Sequence, residues 1–180
     1  MRLPLVQLAG AFYGALALAA VGWCWVTERE SVFWIGAPPT VASVLSWAGI
    51  GALFAGIVIL ATDVAAERFE VVQEMGDAFE DVLGRITWGQ AFLLALFSSF
   101  GEEMLFRGAL TPSFGVFGSA ALFAIVHWPM EKRLMLWPIF ALLVGLALGW
   151  AFETSGHLGA PIAAHFLVNF VNLGMLKYRD

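Results

Sequence analysis

Six stretches of this chain, residues 5–26, 41–61, 89–110, 115–128, 134–152 and 157–176, are apolar enough to lie in hydrocarbon. No water reaches a backbone N–H or C=O there, so a spanning segment must be a helix or part of a closed barrel. Runs of ~20 residues suit a helix, whereas a barrel strand needs only ~10. Composition agrees: 13% of the residues are charged, about half the share in a soluble domain. The expected fold is therefore all-α. It is a polytopic membrane bundle formed by residues 1–180 as a single domain, with about six transmembrane helices.

The first run extends to Val26, beyond the 7–15 residues of a leader's apolar region, and reads as an anchor. Pro38 and Pro39 break the chain before the second. Between 62 and 86 the pattern changes: Phe69, Val72, Met75, Phe79, Val82, Leu83 and Ile86 recur at helical spacing between acids, which predicts an amphipathic helix. Its acidic face favours packing on the bundle over binding anionic lipid. The third run should stop before Pro112, the fourth end at Pro129, and the fifth kink near Pro138. Thr154-Ser155-Gly156 reads as a cap for the sixth, with Pro161 in its first turn. Counting Lys and Arg in short loops gives Arg2, Arg68, Arg85, Lys132, Arg133, Lys177 and Arg179 on one side against Arg29 and Arg107 on the other. That excess places both termini in the cytoplasm. The net charge of −5 resides wholly between Asp63 and Arg85, so the acidic total points to no global partner, and no nucleic acid is expected. Cys24 is the sole cysteine and rules out an internal disulfide.

Against this background Glu102, Glu103 and Arg107 are out of place. Each costs at least ~2.5–3.5 kcal/mol at a bilayer centre, so they require partners or a hydrated cavity and mark a functional site by default. At the helical rise, Glu102 and Glu103 lie ~18 Å from the inner edge of the third span, His127 ~12 Å and His165 ~18 Å. Asn169 follows a turn below His165. Three helices thus bring polar groups near one depth. Glu103 and Arg107 stand at i,i+4 and can pair, leaving Glu102 about 100° away and free of that bridge. Phe123 and His127 share a face, as do His165 and Asn169. A carboxylate and an imidazole can take a proton from water, and His or Asn donors can stabilise an oxyanion.

Glu102-Glu103-xxx-Arg107, Phe123-xxx-His127 and His165-xxx-Asn169 resemble, in order, the three motifs of the CPBP family, the CAAX protease and bacteriocin-processing group of type II CAAX prenyl endopeptidases. The run from Ser155 to His165 is similar to that family's approach to its third motif. The resemblance covers about 98–172, within a motif-bearing core of about 88–176. It implies an intramembrane endopeptidase that cleaves a membrane-anchored protein or peptide, such as a C-terminal sorting tail or a prenylated tail. It implies Glu102 as general base with His127 as its partner, His165 and Asn169 as holders of water or oxyanion, and Glu103 and Arg107 as a pair shaping the site.

The family's usual mechanism needs no cofactor. The chain has no HExxH motif, although zinc at Glu102, His127 and His165 stays open. The expected setting is the bilayer of a bacterial cytoplasmic membrane. Rival readings are a non-catalytic immunity or scaffold protein that keeps the motif helices, and a proton-coupled transporter. His157 falls outside the motifs at a predicted membrane edge and reads as non-catalytic. The eight tryptophans mostly flank spans, as an interfacial belt would.

Overall fold

The computed structural model describes residues 3–129 and 131–176; Arg2, Met130, Lys177 and Arg179, used above, lie outside them. Among the described residues seven α-helices carry the fold: α1 Leu3–Val26, α2 Val41–Arg68, α3 Glu70–Leu83, α4 Trp88–Glu102, α5 Thr111–Val126, α6 Trp137–Ser155 and α7 Gly159–Met175. A π-helical segment, Glu103–Leu110, joins α4 to α5, and a short 3₁₀ turn, Lys132–Leu134, precedes α6. Among the described residues the extended structure amounts to one isolated bridge, Trp34 with His157. Four stretches of the described residues are long and apolar enough to cross a membrane: Leu5–Val26, Val41–Arg68, Trp88–Val126 and Lys132–Ser155. Gly159–Met175 is apolar but shorter. The chain is an all-α membrane bundle.

The third and fourth spans are one continuous helical path, and the third does not stop before Pro112 as expected. Pro112 sits in the first turn of α5, and the reversal comes at Gly115, whose φ of 70° and ψ of 170° are open to glycine and strained for other residues. Proline mid-path is tolerated for a visible reason. An α-helix would need its missing N–H to donate to the Gly108 carbonyl, and the Arg29 guanidinium donates to that carbonyl instead. A residue expected to be a loop charge thus repairs the backbone of the motif helix.

Other boundaries differ from expectation. The amphipathic segment is not one helix over 62–86: α2 continues to Arg68, Phe69 is extended (φ −126°, ψ 111°), and α3 begins at Glu70. Arg68 in the last turn of α2 and Glu70 in the first of α3 each suit the helix dipole on their own side of the break. Pro138 starts α6 rather than kinking it. Ser155 and Gly156 end α6, with Gly156 left-handed at φ 75°, so this triplet stops one helix instead of capping the next.

Within the bundle α7 lies between α2 and α4 and also touches α6; α1 covers α4 and the π segment, and α5 pairs with α6. Small residues allow the closest approach. A Cβ on Gly51 of α2 would sit inside van der Waals contact of the Ala160 backbone on α7. Gly51→Ala should therefore cost ~1–3 kcal/mol, since backbone cannot swing aside as a side chain can; thermal unfolding in detergent measures it.

His157 is buried, with 2% exposure, at the junction of the 31–36 loop, α2 and α7. Its Nδ1 accepts from the Gly159 N–H at 3.1 Å, so Nε2 carries the hydrogen and donates to Ser43 Oγ, also 3.1 Å away. Burial holds this imidazole below its ordinary range. The unfolded chain therefore takes up the proton first as pH falls. The stability His157 contributes is full above ~6.5, the ordinary histidine value, and shrinks as pH drops below it. The Tm advantage of the wild type over His157→Asn should narrow between pH 7 and pH 5; a constant gap would show that this histidine carries no proton linkage.

Candidate active site in the membrane core

The π segment displaces the register of the helix at the motif. The Thr111 N–H reaches back five residues to the Phe106 carbonyl, which also accepts from the Thr111 hydroxyl at 2.9 Å and from Ser119 Oγ at 2.7 Å. Such π turns gather at functional sites. Here the turn lies directly after Glu102 and contains both Glu103 and Arg107.

Glu103 and Arg107 are buried, at 0% and 1% exposure. Their predicted pair forms, with Arg107 Nη1 donating to Glu103 Oε1 at 2.9 Å. The same Oε1 accepts from His165 Nδ1 at 2.7 Å, across to α7. Arg107 also lies over the Phe123 ring, 4.3 Å from its centroid, a cation–π contact inside the bundle. One carboxylate therefore anchors three helical segments.

Glu102 points elsewhere, as its spacing requires. Its Oε2 lies 3.8 Å from His127 Nε2 and 3.7 Å from His165 Nε2, and has no hydrogen-bond partner of its own. Those separations exceed a direct hydrogen bond and suit a bridging water. Both imidazoles are held from behind. His127 Nδ1 donates to the Phe123 carbonyl at 2.7 Å, and His165 Nδ1 donates to Glu103. Each neutral ring therefore turns an unprotonated Nε2 towards Glu102. Asn169, one turn on from His165, donates Nδ2–H to Ser98 Oγ at 3.0 Å.

All of Glu102, His127, His165 and Asn169 line one cavity of about 120 Å³. A water needs ~10–15 Å³ of such space, so the cavity has room for several. Its remaining wall is mostly apolar, including Phe54, Phe140, Val144, Leu148 and Val168. Among the described residues no three His, Cys, Asp or Glu side chains are grouped to hold a metal ion.

The expected residues thus converge, and three partners join them that the sequence reading passed over. Tyr13, from α1, lines the cavity with its hydroxyl in hydrogen-bonding reach of Glu102. It is one of two tyrosines in the chain, and a lone hydroxyl in an apolar span was the available signal. Ser98 stands at i−4 from Glu102, on the same face. Trp137, read as belt, lines the cavity and packs edge-to-face on His127 at 5.0 Å.

Residues 84–171 match the family model described as type II CAAX prenyl endopeptidase Rce1-like. The chain is also 30% identical over 135 residues to the uncharacterized protein YpbD of Bacillus subtilis (strain 168), covering 73% of this chain and 69% of that one. The chain belongs to the type II CAAX prenyl endopeptidase family. No solved structure matches it. The matched region takes in α4, the π segment, α5, α6 and the part of α7 that bears His165 and Asn169. This is a protease family, so a peptide substrate goes with membership.

The buried pair makes a clear demand on stability. Arg107→Met leaves the Glu103 carboxylate uncompensated and should cost ~3–5 kcal/mol. Adding Glu103→Gln should recover part of that loss in thermal unfolding, which simple loss of packing at position 107 would not.

Proposed function

We propose that this chain is an intramembrane endopeptidase that hydrolyses a peptide bond of a membrane-anchored protein with water activated by Glu102. The observation that carries the reading is the convergence of two Nε2 atoms from separate helices on the free Glu102 Oε2, at 3.8 and 3.7 Å. A water in that gap donates to the carboxylate and to an imidazole Nε2, the arrangement of a general base with a partner.

In this mechanism the water oxygen attacks the scissile carbonyl carbon while its proton passes to Glu102. The carbonyl oxygen gains negative charge and is met by N–H and O–H donors. Asn169 retains a second amide hydrogen beyond the one given to Ser98, and the Tyr13 hydroxyl, within reach of Glu102, lines the same cavity. The tetrahedral intermediate then collapses, the C–N bond breaks, and the Glu102 proton goes to the leaving amine. Glu103 and Arg107 do not touch the reacting atoms; they fix the ring and tautomer of His165. The steps use only groups of this chain and need no metal ion.

The substrate we favour is a membrane-tethered tail, a C-terminal sorting signal ahead of a prenylated tail, because the polar groups lie deep among apolar walls. The setting is a bacterial cytoplasmic membrane with both termini cytoplasmic, the side favoured by the Lys and Arg of short loops.

The test is comparative proteomics of membrane proteins from cells carrying wild-type or variant copies, scored for new termini. Glu102→Gln, His127→Ala and His165→Ala should each lose every terminus the wild type generates while still accumulating in membranes. Asn169→Ala should retain slow cleavage, reduced ~10²–10³-fold as for loss of one oxyanion donor. Normal processing by Glu102→Gln would remove the proposed base and favour a non-catalytic scaffold.

A further inference from the structure

The acidic helix α3 takes no part in the chemistry above, yet it is tied to the cavity. It packs on the end of α2 and on the 3₁₀ turn before α6. Phe79 stands edge-to-face on Trp137, centroids 4.9 Å apart, and Trp137 in turn packs on His127 and lines the cavity. Two residues along, Asp81 Oδ2 accepts from Arg133 Nη2 at 2.9 Å.

The attachment is weak by construction. Of the 14 residues of α3, Gly76 and Ala78 are the buried ones, and elements with so little buried surface open first. The ion pair with Arg133 is solvent-exposed, Asp81 at 65%, and an exposed ion pair shifts an equilibrium at most about fivefold. Both ends are breaks: extended Phe69 separates it from α2, and Gly84, at φ 60° and ψ −170°, from the link to α4.

We propose that α3 is a hinged lid at the His127 edge of the catalytic cavity, held shut by the Phe79–Trp137 contact and the Asp81–Arg133 pair. Its opening admits water and substrate polypeptide beside Trp137, where α5 ends and α6 begins. This rests on the protease reading for the purpose of the cavity, but not for the movement.

The test reads movement without cleavage. In full-length Cys24→Ser, Val144→Cys protein in detergent, the introduced thiol lines the cavity and reacts with a charged methanethiosulfonate only when water reaches it. Phe79→Ala should raise the labelling rate about two- to tenfold, the range for loss of an aromatic pair. Asp81→Arg should raise it up to about fivefold, and Asp81→Arg with Arg133→Asp should return it to the starting value. Adding Glu102→Gln removes a cavity charge and so resets the starting rate, but should leave the ratios between these proteins unchanged, so the lid can stand if the protease reading falls, and the reverse. Equal rates in every protein, no labelling in any, or failure of the swapped pair to restore the slow rate would overturn the lid.

Discussion

The Glu103 carboxylate has no exposure, sits inside an apolar bundle, and is matched in place by Arg107 one turn along its own path and by His165 across the interface with α7. A buried ion is tolerated only when its partners are close and well aimed, so this contact fixes the register of α7 against the motif helix. It also sets chemistry. An ionised carboxylate can only accept, so His165 must carry its hydrogen on Nδ1 and turn Nε2 to the cavity. Position, tautomer and orientation of one reactive group all follow from a single oxygen.

The rest of the site is arranged around that anchor by backbone rather than by additional charge. Glu102 and Glu103, adjacent in sequence and about 100° apart around the helix, serve different surfaces where α4 passes into the π segment: one faces the cavity, the other the interior. Phe123 carries a comparable double load, its ring under Arg107 and its carbonyl behind His127. The cost of the irregular helix is met locally, by Thr111 and Ser119 on the Phe106 carbonyl and by Arg29 on that of Gly108. This is how irregular backbone persists at membrane depth, covered by protein groups that replace its lost partners.

The motif residues were legible in sequence because charge in hydrocarbon is conspicuous and i,i+4 spacing fixes a shared helix face. That reasoning located Glu103 with Arg107, left Glu102 free of the bridge, and put His165 and Asn169 on one side; Glu102, His165 and Asn169 line the cavity, and the Glu103–Arg107 pair lies buried behind it. It failed where the deciding partner is remote. Pro112 was taken as a stop because nothing nearby in sequence announces that Arg29, 83 positions earlier, would cover the orphaned carbonyl. Trp137 was assigned to the interfacial belt because a tryptophan at a span end is ordinarily there; its packing against Phe79 and His127 depends on where α3 comes to rest. Pro138 was read as a kink within a span and instead begins α6, while Ser155 and Gly156, read as the cap of the sixth span, end α6.

By itself the amino-acid order determined that this chain must be helical in a bilayer and must bury a set of polar groups at one depth, since hydrophobic length and the energetics of charge in hydrocarbon are properties of composition and spacing. Only tertiary structure decided which atoms face which. Whether His165 pairs through Nδ1 or Nε2, whether a hydroxyl from α1 reaches Glu102, and where the long helical path reverses all depend on contacts between segments far apart in the chain. Those contacts come into being only when α1, α4 and α7 pack together, and no local periodicity encodes them.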